Sequence, residues 1–420
     1  MKKKNVWVFH HYATPPNKNG FTRPYSFSQN MNKEQYKTTI FAASYLHFAD
    51  ENLIKNDKAF ITEEYNNTEF VYLKTPSSVN GGMARVNNML AYYRKLFQVT
   101  KIYDSKHKKP DIIIASSPHP LALIAGIKIA KKMNVPCICE IRDLWPETIF
   151  AFGKVKENSI LGKALTKGEH WIYKNADALI FLKEGDTDYI KERGWTVEQG
   201  GEIDLRKCHY INNGVNLTDF EKQSEENSFI DQDLLGEKFN VVYAGAIRPI
   251  NNVGNILDTA KLLIKNKDIQ FLIYGDGNQL EYLKKRVVNE ELSNVKLKGY
   301  VDKQYIPFIL MHSSLNILNY SQTKYNWSRG NSSNKLFEYM ASGKPIISTM
   351  KMGYSPIEKY NCGISLESDT SNELASAVMD MYNMENDKYL HMGNNAKVGA
   401  KDFDYKILTQ KLIKVMGSLV

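Results

Sequence analysis

The sequence predicts an α/β protein of two doubly wound, Rossmann-like domains facing across a central cleft. Three observations carry this expectation. Short β-rich runs alternate with helical patterns from end to end. The run DIIIAS at 111–116 is nearly all apolar, as a strand covered on both faces of a parallel sheet must be. After a polar joint the whole series starts again, which means a second domain of the same kind.

In the first half, strands are expected at 5–9, 37–44, 69–74, 111–116, 135–141 and 177–182. Helices separate most of them, the longest at 83–107 and another at 120–133. The joint lies at about 212–240, where NNGVNLTDFEKQSEENSFIDQD is polar and acidic and reads as a linker or surface excursion. The pattern resumes with NVVYAGAI, a helix after Asn251, QFLIYGDG, a helix after Asn278, and NVKLKGY. Val253, Ile256, Leu257, Ala260, Leu263 and Ile264 follow the i, i+3, i+4, i+7 rule, so the helix after Asn251 has one apolar face. A strand at 315–318 leads through a long polar loop to a short helix ending near Ser342. The expected bounds are 1–215 for the first domain and 216–402 for the second. A C-terminal helix within 403–420 is free by its pattern to pack on either, the first domain included.

The length of 420 residues allows two or three domains at roughly 100–200 residues each. Charged residues at 24% and aromatics at 11% exclude disordered and fibrous classes. Four cysteines make no disulfide framework in a chain of this size; Cys137 and Cys139 sit in an apolar run and are expected as buried thiols in a reducing cytoplasm. The longest apolar stretch, 121–130, is ten residues and contains Lys128, too short and too charged to span a bilayer. The opening MKKKNVWVFHH has the basic residues of a signal peptide, but its apolar run is four residues and no small-residue cleavage site follows, which argues against secretion. A net charge of +9 favours an anionic partner without choosing among nucleotide, phospholipid head group and nucleic acid.

In open α/β sheets ligands bind beyond the carboxyl ends of the strands, so the loops leaving those strands are the candidates. The richest is LNILNYSQTKYNWSRGNSSNKLFEYMASGKPIIS. Ser332, Ser333 and Asn334 are N-cap types, and Gly343 with Pro345 stops the helix they open. A helix start offers unpaired amides and a positive dipole end, which suits phosphate, and Lys335 adds a full charge in the first turn. Glu338 lies about 6 Å further along the axis, where a carboxylate can accept from a vicinal diol; diol and diphosphate together describe a nucleotide. The same residues also fit an ordinary capped helix with a Lys335–Glu338 i, i+3 pair. Gly275, Asp276 and Gly277 follow another strand, as a weak dinucleotide-type signal or a plain tight turn. Arg248 follows a third, facing either a diphosphate or solvent.

In the first half, Lys18, Gly20 and Arg23 lie in the loop after the first strand, where a glycine lets amides approach an anion. Arg142, Asp143 and Trp145 converge after the fifth strand, in CEIRDLWPETIF. Adjacent His10 and His11 point apart on a strand, and no helical His pair or Cys cluster supports a metal. The D-x-D pairs at Asp186/Asp188, Asp231/Asp233 and Asp402/Asp404 follow no strand end and are set aside, and there is no G-x-S-x-G elbow or P-loop. The 83–107 helix carries Arg85, Arg94, Lys95 and Lys101 among Tyr92, Tyr93, Phe97 and Tyr103, a pattern shared by half-buried helices and helices on anionic membranes.

IRDLWPE at 141–147, INNGV at 211–215, YAGAI at 243–247 and SSNKLFEYMASGKPII at 332–347 together resemble retaining glycosyltransferases of family 4, which have the GT-B fold. The resemblance spans essentially the whole chain and is nearest to the subgroup that builds bacterial capsule, O-antigen and related surface polysaccharides. The family's signature is two glutamates with seven residues between them. Glu338 matches the second, whose implied role is to hold the donor ribose, while Gly330 stands where the first would fall. Arg142-Asp143 replaces the His-Asp pair of many members, and the usual basic pair of the second domain's first loop is reduced to Arg248.

What the resemblance implies is sugar transfer from a nucleotide donor, a UDP-sugar, to a lipid-linked or saccharide acceptor with retention; activity without a metal is expected because the residues offer no metal-ligand constellation. Donor contacts would come from Ser332, Ser333, Asn334, Lys335, Leu336, Glu338, Arg248, Gly275, Asp276, Gly277, Gly20 and Arg23. Asp143 and Arg142 would line the acceptor side near the reacting carbon. The implied setting is the cytoplasm, peripherally on an anionic membrane, with no nucleic-acid partner. Two other readings share this architecture: a UDP-sugar 2-epimerase of the same fold, disfavoured by Gly330, and a non-catalytic two-lobed binding protein.

Overall fold

The computed structural model describes residues 3–18, 20–32, 34–79, 81–107, 109–151, 153–322 and 326–420. The chain divides into two units, Met1–Asn212 with Tyr405–Val420, and Asn213–Asp404.

Unit 1 runs β1 (Lys4–His10), α1 (Arg23–Met31), β2 (Tyr36–Ala43), a two-residue pair β3 (Tyr45–Leu46) and β4 (Glu51–Asn52), β5 (Phe60–Tyr65), β6 (Thr68–Leu73), α2 (Gly82–Lys106) and β7 (Ile112–Ser116). It continues with α3 (Pro120–Met133), β8 (Cys137–Ile141), α4 (Trp145–Ala151), α5 (Ile160–Asn175), β9 (Ala178–Phe181), α6 (Asp186–Glu192) and β10 (Cys208–Tyr210). The main sheet has the order β10-β9-β8-β7-β1-β2-β6-β5. Every position of β7 and β8 is buried, which is why their sequences read as largely apolar runs. Trp7, Phe9 and Phe41 pack with Tyr92, Leu96 and Val99 of α2 in one core, while Val8, Ile40 and Phe70 belong to a second core with Phe27 of α1.

Two strands of this sheet escape the apolar-run pattern. The edge strand β5 pairs antiparallel with β6 and alternates half-buried with exposed positions; Asn66 and Asn67, at φ +46° and +63°, make the tight turn between them. β10 has only three residues.

Unit 2 runs α7 (Leu217–Glu226), β11 (Phe239–Ala244), α8 (Val253–Leu262), β12 (Ile269–Tyr274), α9 (Leu280–Asn289), β13 (Val295–Gly299), α10 (Ile306–Met311) and β14 (Leu315–Leu318). It ends with α11 (Asn334–Ser342), β15 (Ile346–Ser348), α12 (Pro356–Lys359), β16 (Gly363–Ser365), α13 (Ser371–Tyr382) and α14 (Asn386–Asp402). Its sheet is parallel throughout, in the order β13-β12-β11-β14-β15-β16. The acidic joint is not a bare linker: α7 forms within it, capped by the Asn216 side chain accepting from the Asp219 amide and anchored by buried Phe220. The chain then returns to unit 1 as α15 (Tyr405–Gly417), which packs on α1, with the rings of Phe27 and Tyr405 edge-on at 5.5 Å.

Chain order reverses between β1 and β7 in unit 1, and between β11 and β14 in unit 2. These are the switch points at which doubly wound sheets open a crevice beyond their carboxyl edge. Among the described residues no helix is long and apolar enough to cross a membrane.

Candidate active site

At the switch point of unit 2, three loops are tied together by side chains that the strand ends deliver. Asn319, just past β14, donates from Nδ2 to the carbonyls of Asn251 and Asn252 at 2.7 and 2.8 Å. Tyr339 of α11 accepts from the Ala244 amide at 3.0 Å and donates to the Ala244 carbonyl at 3.2 Å, locking the helix to the end of β11. Beyond β11 and β12 the backbones stay paired, Ile247 N donating to Asp276 O at 2.8 Å. Gly275 permits this approach, since a Cβ there would stand 1.8 Å from the Gly245 carbonyl oxygen.

The start of α11 is held open. Ser333 is the N-cap residue but makes no side-chain cap bond; its hydroxyl pairs with Tyr320 Oη at 2.8 Å, and its amide donates to Asn331 Oδ1 at 2.6 Å. The Ser332 carbonyl accepts from Asn213 Nδ2 at 2.6 Å, and Asn334 is exposed. Gly343, at φ +68°, ends the helix in the left-handed conformation.

Lys335 projects back across this start rather than toward Glu338. Its Nζ donates to Tyr243 Oη at 3.2 Å and lies 4.8 and 4.4 Å from the ring centres of Tyr243 and Tyr320. With the Asn251 amide turned to satisfy both its ends, Asn251 Oδ1 accepts from the same ammonium at 3.3 Å. Burial opposes the charge, but the surrounding phenol groups, Tyr243 first, hold Lys335 above the ordinary lysine value. A fixed cation therefore faces the amide end of a helix, the combination that suits a phosphate.

The i, i+3 pair allowed by the sequence is absent. Glu338 is half-buried, with its Oε1 3.9 Å from Nζ of the largely exposed Lys303. Asp276 and Arg248 are exposed at the neighbouring strand ends, and Asp276 Oδ1 accepts from the Gly277 amide at 2.6 Å. Leu336 turns its side chain into the core, and its amide donates to Ser333 O at 3.2 Å. Gly330 takes φ +101° in a turn, a backbone conformation that a glutamate adopts poorly.

In unit 1 the sequence-derived set separates. Arg23 does not reach into an open loop. It is buried in the first turn of α1, pairing with Glu140 at 2.9 Å and donating to the carbonyls of Asn212 and Ile211 at 2.5 and 2.8 Å. Burial works against ionised Glu140, but Arg23 and Arg142 hold its carboxyl below the usual range, and Ser116 donates to it at 2.6 Å. Lys18 is taken up by Glu63 at 2.9 Å, and Gly20 lies where a Cβ would come within 2.5 Å of Thr14.

Arg142 is mostly buried, its guanidinium 4.9 Å from the Phe21 ring and 3.9 Å from Glu140, and burial pulls its pKa down. Asp143 is exposed beside it. Glu140 went unnoticed in the sequence; its one signal was a lone charge inside the apolar run at 137–141.

His10 ends β1 and His11 follows it, both inside the protein, and His11 Nδ1 lies 2.6 Å from Nε2 of buried His119, after β7. Burial pushes His10 and His119 down to about 3, so all stay neutral at physiological pH. Both ring nitrogens of His10, Nε2 of His11, Nδ1 of His119, Tyr12 Oη and Arg142 Nη1 are buried without a hydrogen-bond partner among the described residues. Such a concentration of unmatched buried polar atoms at one end of the strands is unusual in a folded interior and marks the place for a role beyond packing. Among the described residues no three His, Cys, Asp or Glu side chains form a metal-holding group.

Comparison with known proteins covers both units. Residues 64–199 match the family model described as glycosyl transferase 4-like domain, and 238–384 match glycosyl transferases group 1. The probable glycosyltransferase WbjE of Pseudomonas aeruginosa is 21% identical over 250 residues, 59% of this chain and 60% of the relative, so the chain spans about three fifths of that protein's length. The crystal structure of Anabaena Alr3699/HepE in complex with UDP superposes with a TM-score of 0.67 at 14% identity, covering 99% of this chain and 100% of that one. WaaG, a glycosyltransferase involved in lipopolysaccharide biosynthesis, superposes with a TM-score of 0.63 at 12% identity, over 98% and 99% of the two chains. The paired β/α sheets and both domain matches identify the chain as a glycosyltransferase of the GT-B fold.

Proposed function

We propose that the protein transfers a sugar, with retention, from a UDP-sugar to a lipid-linked saccharide in bacterial surface-polysaccharide synthesis. The observation that carries this is the open start of α11, where helix amides and the phenol-framed ammonium of Lys335 converge on one spot. That spot takes the diphosphate, Glu338 one turn along takes the ribose hydroxyls, and UDP as the nucleotide agrees with the ligand held by Alr3699/HepE. The lipid-linked acceptor agrees with the pathway of WaaG.

In this mechanism the bond from the anomeric carbon to the β-phosphate oxygen breaks as the acceptor hydroxyl attacks from the same face. The departing diphosphate takes the hydroxyl proton, and Lys335 with the helix amides stabilises its growing charge. Acceptor hydroxyls are held by unit 1 through exposed Asp143 and the unmatched polar atoms around His10, with Arg142 fixed between Glu140 and Phe21 to position its neighbour. No step uses a metal. The enzyme works at an anionic membrane, to which exposed Met83 and Val86 with Arg85 at the start of α2 would attach unit 1.

The test is incubation with a panel of nucleotide sugars and bacterial membrane lipid extract, followed by mass spectrometry. Sugar incorporated into lipid after exhaustive chelation is the expected result. Isomerised nucleotide sugar without an acceptor would make the protein an epimerase, and turnover restored only by manganese or magnesium would show a metal step.

A further inference from the structure

Unit 1 contains a cavity of about 190 Å³ between α3, the entrance to α4 and α5. Its walls include Leu121, Ile124, Trp145, Leu165 and Ile172, and Asp143 stands at its polar end. The Trp145 indole is fixed as a wall by donating to the Pro118 carbonyl at 2.8 Å. Glu169, the second acid on the lining, is taken up by Tyr173 and Tyr189, which donate to its two oxygens at 2.7 and 2.6 Å.

Two features argue that this space is kept for a ligand. Gly168 lies in the interior of the sixteen-residue helix α5 and faces the cavity, and a Cβ there would meet no atom within 4 Å. An interior helix glycine weakens the helix, and protein packing supplies no reason for it here. The same helix begins with Ile160 and Leu161, 92% and 57% exposed, surrounded in sequence by exposed Lys154, Lys156, Lys163 and Lys167. Apolar side chains among lysines match a phosphate-bearing lipid, not a free sugar.

We infer that this cavity holds the isoprenoid segment next to the phosphate of a lipid-linked acceptor, with its saccharide end directed toward Asp143. The inference rests on the lipid-linked acceptor proposed above. Cavities of roughly 150 Å³ lined by Leu, Ile and Phe bind benzene, so this one has room for the first one or two branched five-carbon units, the rest of the chain running to the membrane.

The experiment is titration calorimetry of the full-length protein with farnesyl phosphate below its micelle concentration, with inorganic phosphate and dodecyl phosphate as comparisons. Gly168→Ala and Gly168→Leu fill the cavity stepwise. The expected result is saturable farnesyl phosphate binding that weakens progressively, at least tenfold in Gly168→Leu, while the melting temperature of each variant is equal or higher. That opposition of signs separates a filled ligand site from damage to the fold, and Gly168→Ala carries the test if the leucine variant is poorly folded. Unchanged farnesyl phosphate affinity in a folded variant would overturn the cavity assignment while leaving a lipid-linked acceptor intact. Equal binding of dodecyl phosphate would overturn the isoprenoid assignment. Absence of binding in the unaltered protein, together with transfer only to soluble saccharides, would remove the lipid reading and the cavity with it.

Discussion

Replacing Glu338 by glutamine gives a decisive test of the donor site. The change keeps side-chain shape and helix while turning a charged acceptor into a neutral amide. In the free protein the carboxylate's ionic neighbour is Lys303, 3.9 Å away and 73% exposed. A pair at that distance and exposure contributes about 0–1 kcal/mol, so the melting temperature should scarcely move. If the carboxylate accepts the ribose hydroxyls, hydrogen bonds to a charged group contribute about 1.5–3 kcal/mol, and UDP affinity should fall roughly ten- to a hundredfold. Calorimetry with UDP and UMP measures this directly, and both should weaken by the same factor because the ribose is common to them. Lys303→Ala, which removes only the local pair, should leave UDP affinity within about twofold. An unchanged UDP affinity in folded Glu338→Gln would refute the ribose contact and reduce the start of α11 to a capped helix.

Lys335→Met should leave the protein folded, because an ammonium framed by phenols loses its desolvation penalty when replaced by an apolar chain of similar length. Its UDP affinity should drop at least tenfold in the same calorimetric assay, since a charge-assisted phosphate contact contributes about 1.5–3 kcal/mol. Arg23→Met should cost about 3–5 kcal/mol in urea unfolding by leaving Glu140 buried and unpaired. The double variant with Glu140→Gln should recover part of that loss. Burial raises Glu169 from 4.5 to about 7, so the stability linked to its protonation is fully present below about pH 4.5 and lost as pH rises through 7. That loss amounts to about 3 kcal/mol. Glu169→Gln should remove most of the decline in urea midpoint between pH 5 and 8, and an unchanged decline would refute the assignment. Asp186, raised by burial to about 6, leaves a residual slope in the same direction.

How much was legible before the structure differs by element for physical reasons. β1, β2, β6 to β9 and the strands of unit 2 that adjoin its switch point were visible because burial on both faces writes itself as an apolar run. β5 was missed because an antiparallel edge strand needs only alternation, and FITEEY supplies Thr62 and Glu64 to its open face while Glu63 on the other face pairs with Lys18. α7 was hidden by its composition, since Phe220 is its one buried residue and most of the rest is solvent-facing. Within the site, the α11 start was legible because capping is local in sequence. The seat of Lys335 was not, for it depends on Tyr243, 92 residues away, and on Tyr320. The histidine pair was invisible for the same reason: the parallel register of β1 with β7 brings together residues 108 positions apart. Arg23 looked available because a lone arginine in a glycine-containing loop carries no mark of the glutamate that claims it, 117 residues later.

The return of α15 to unit 1 reverses the order in which the two units can finish folding. Its buried residues, among them Tyr405, Leu408, Leu412 and Met416, complete a core that begins with β1 and α1. All of 213–404 is made between them, an interval of roughly 10–40 s at translation rates of about 5–20 residues per second. Throughout it, the nascent first unit carries an uncovered apolar face on the ribosome, whereas the later-made unit is contiguous and able to close first. Unit 1 should therefore be the part that engages chaperones during synthesis, and a chain ended at Asp404 and tethered to the ribosome by a linker long enough to clear the exit tunnel should display a protease-sensitive first unit beside a protease-resistant second one.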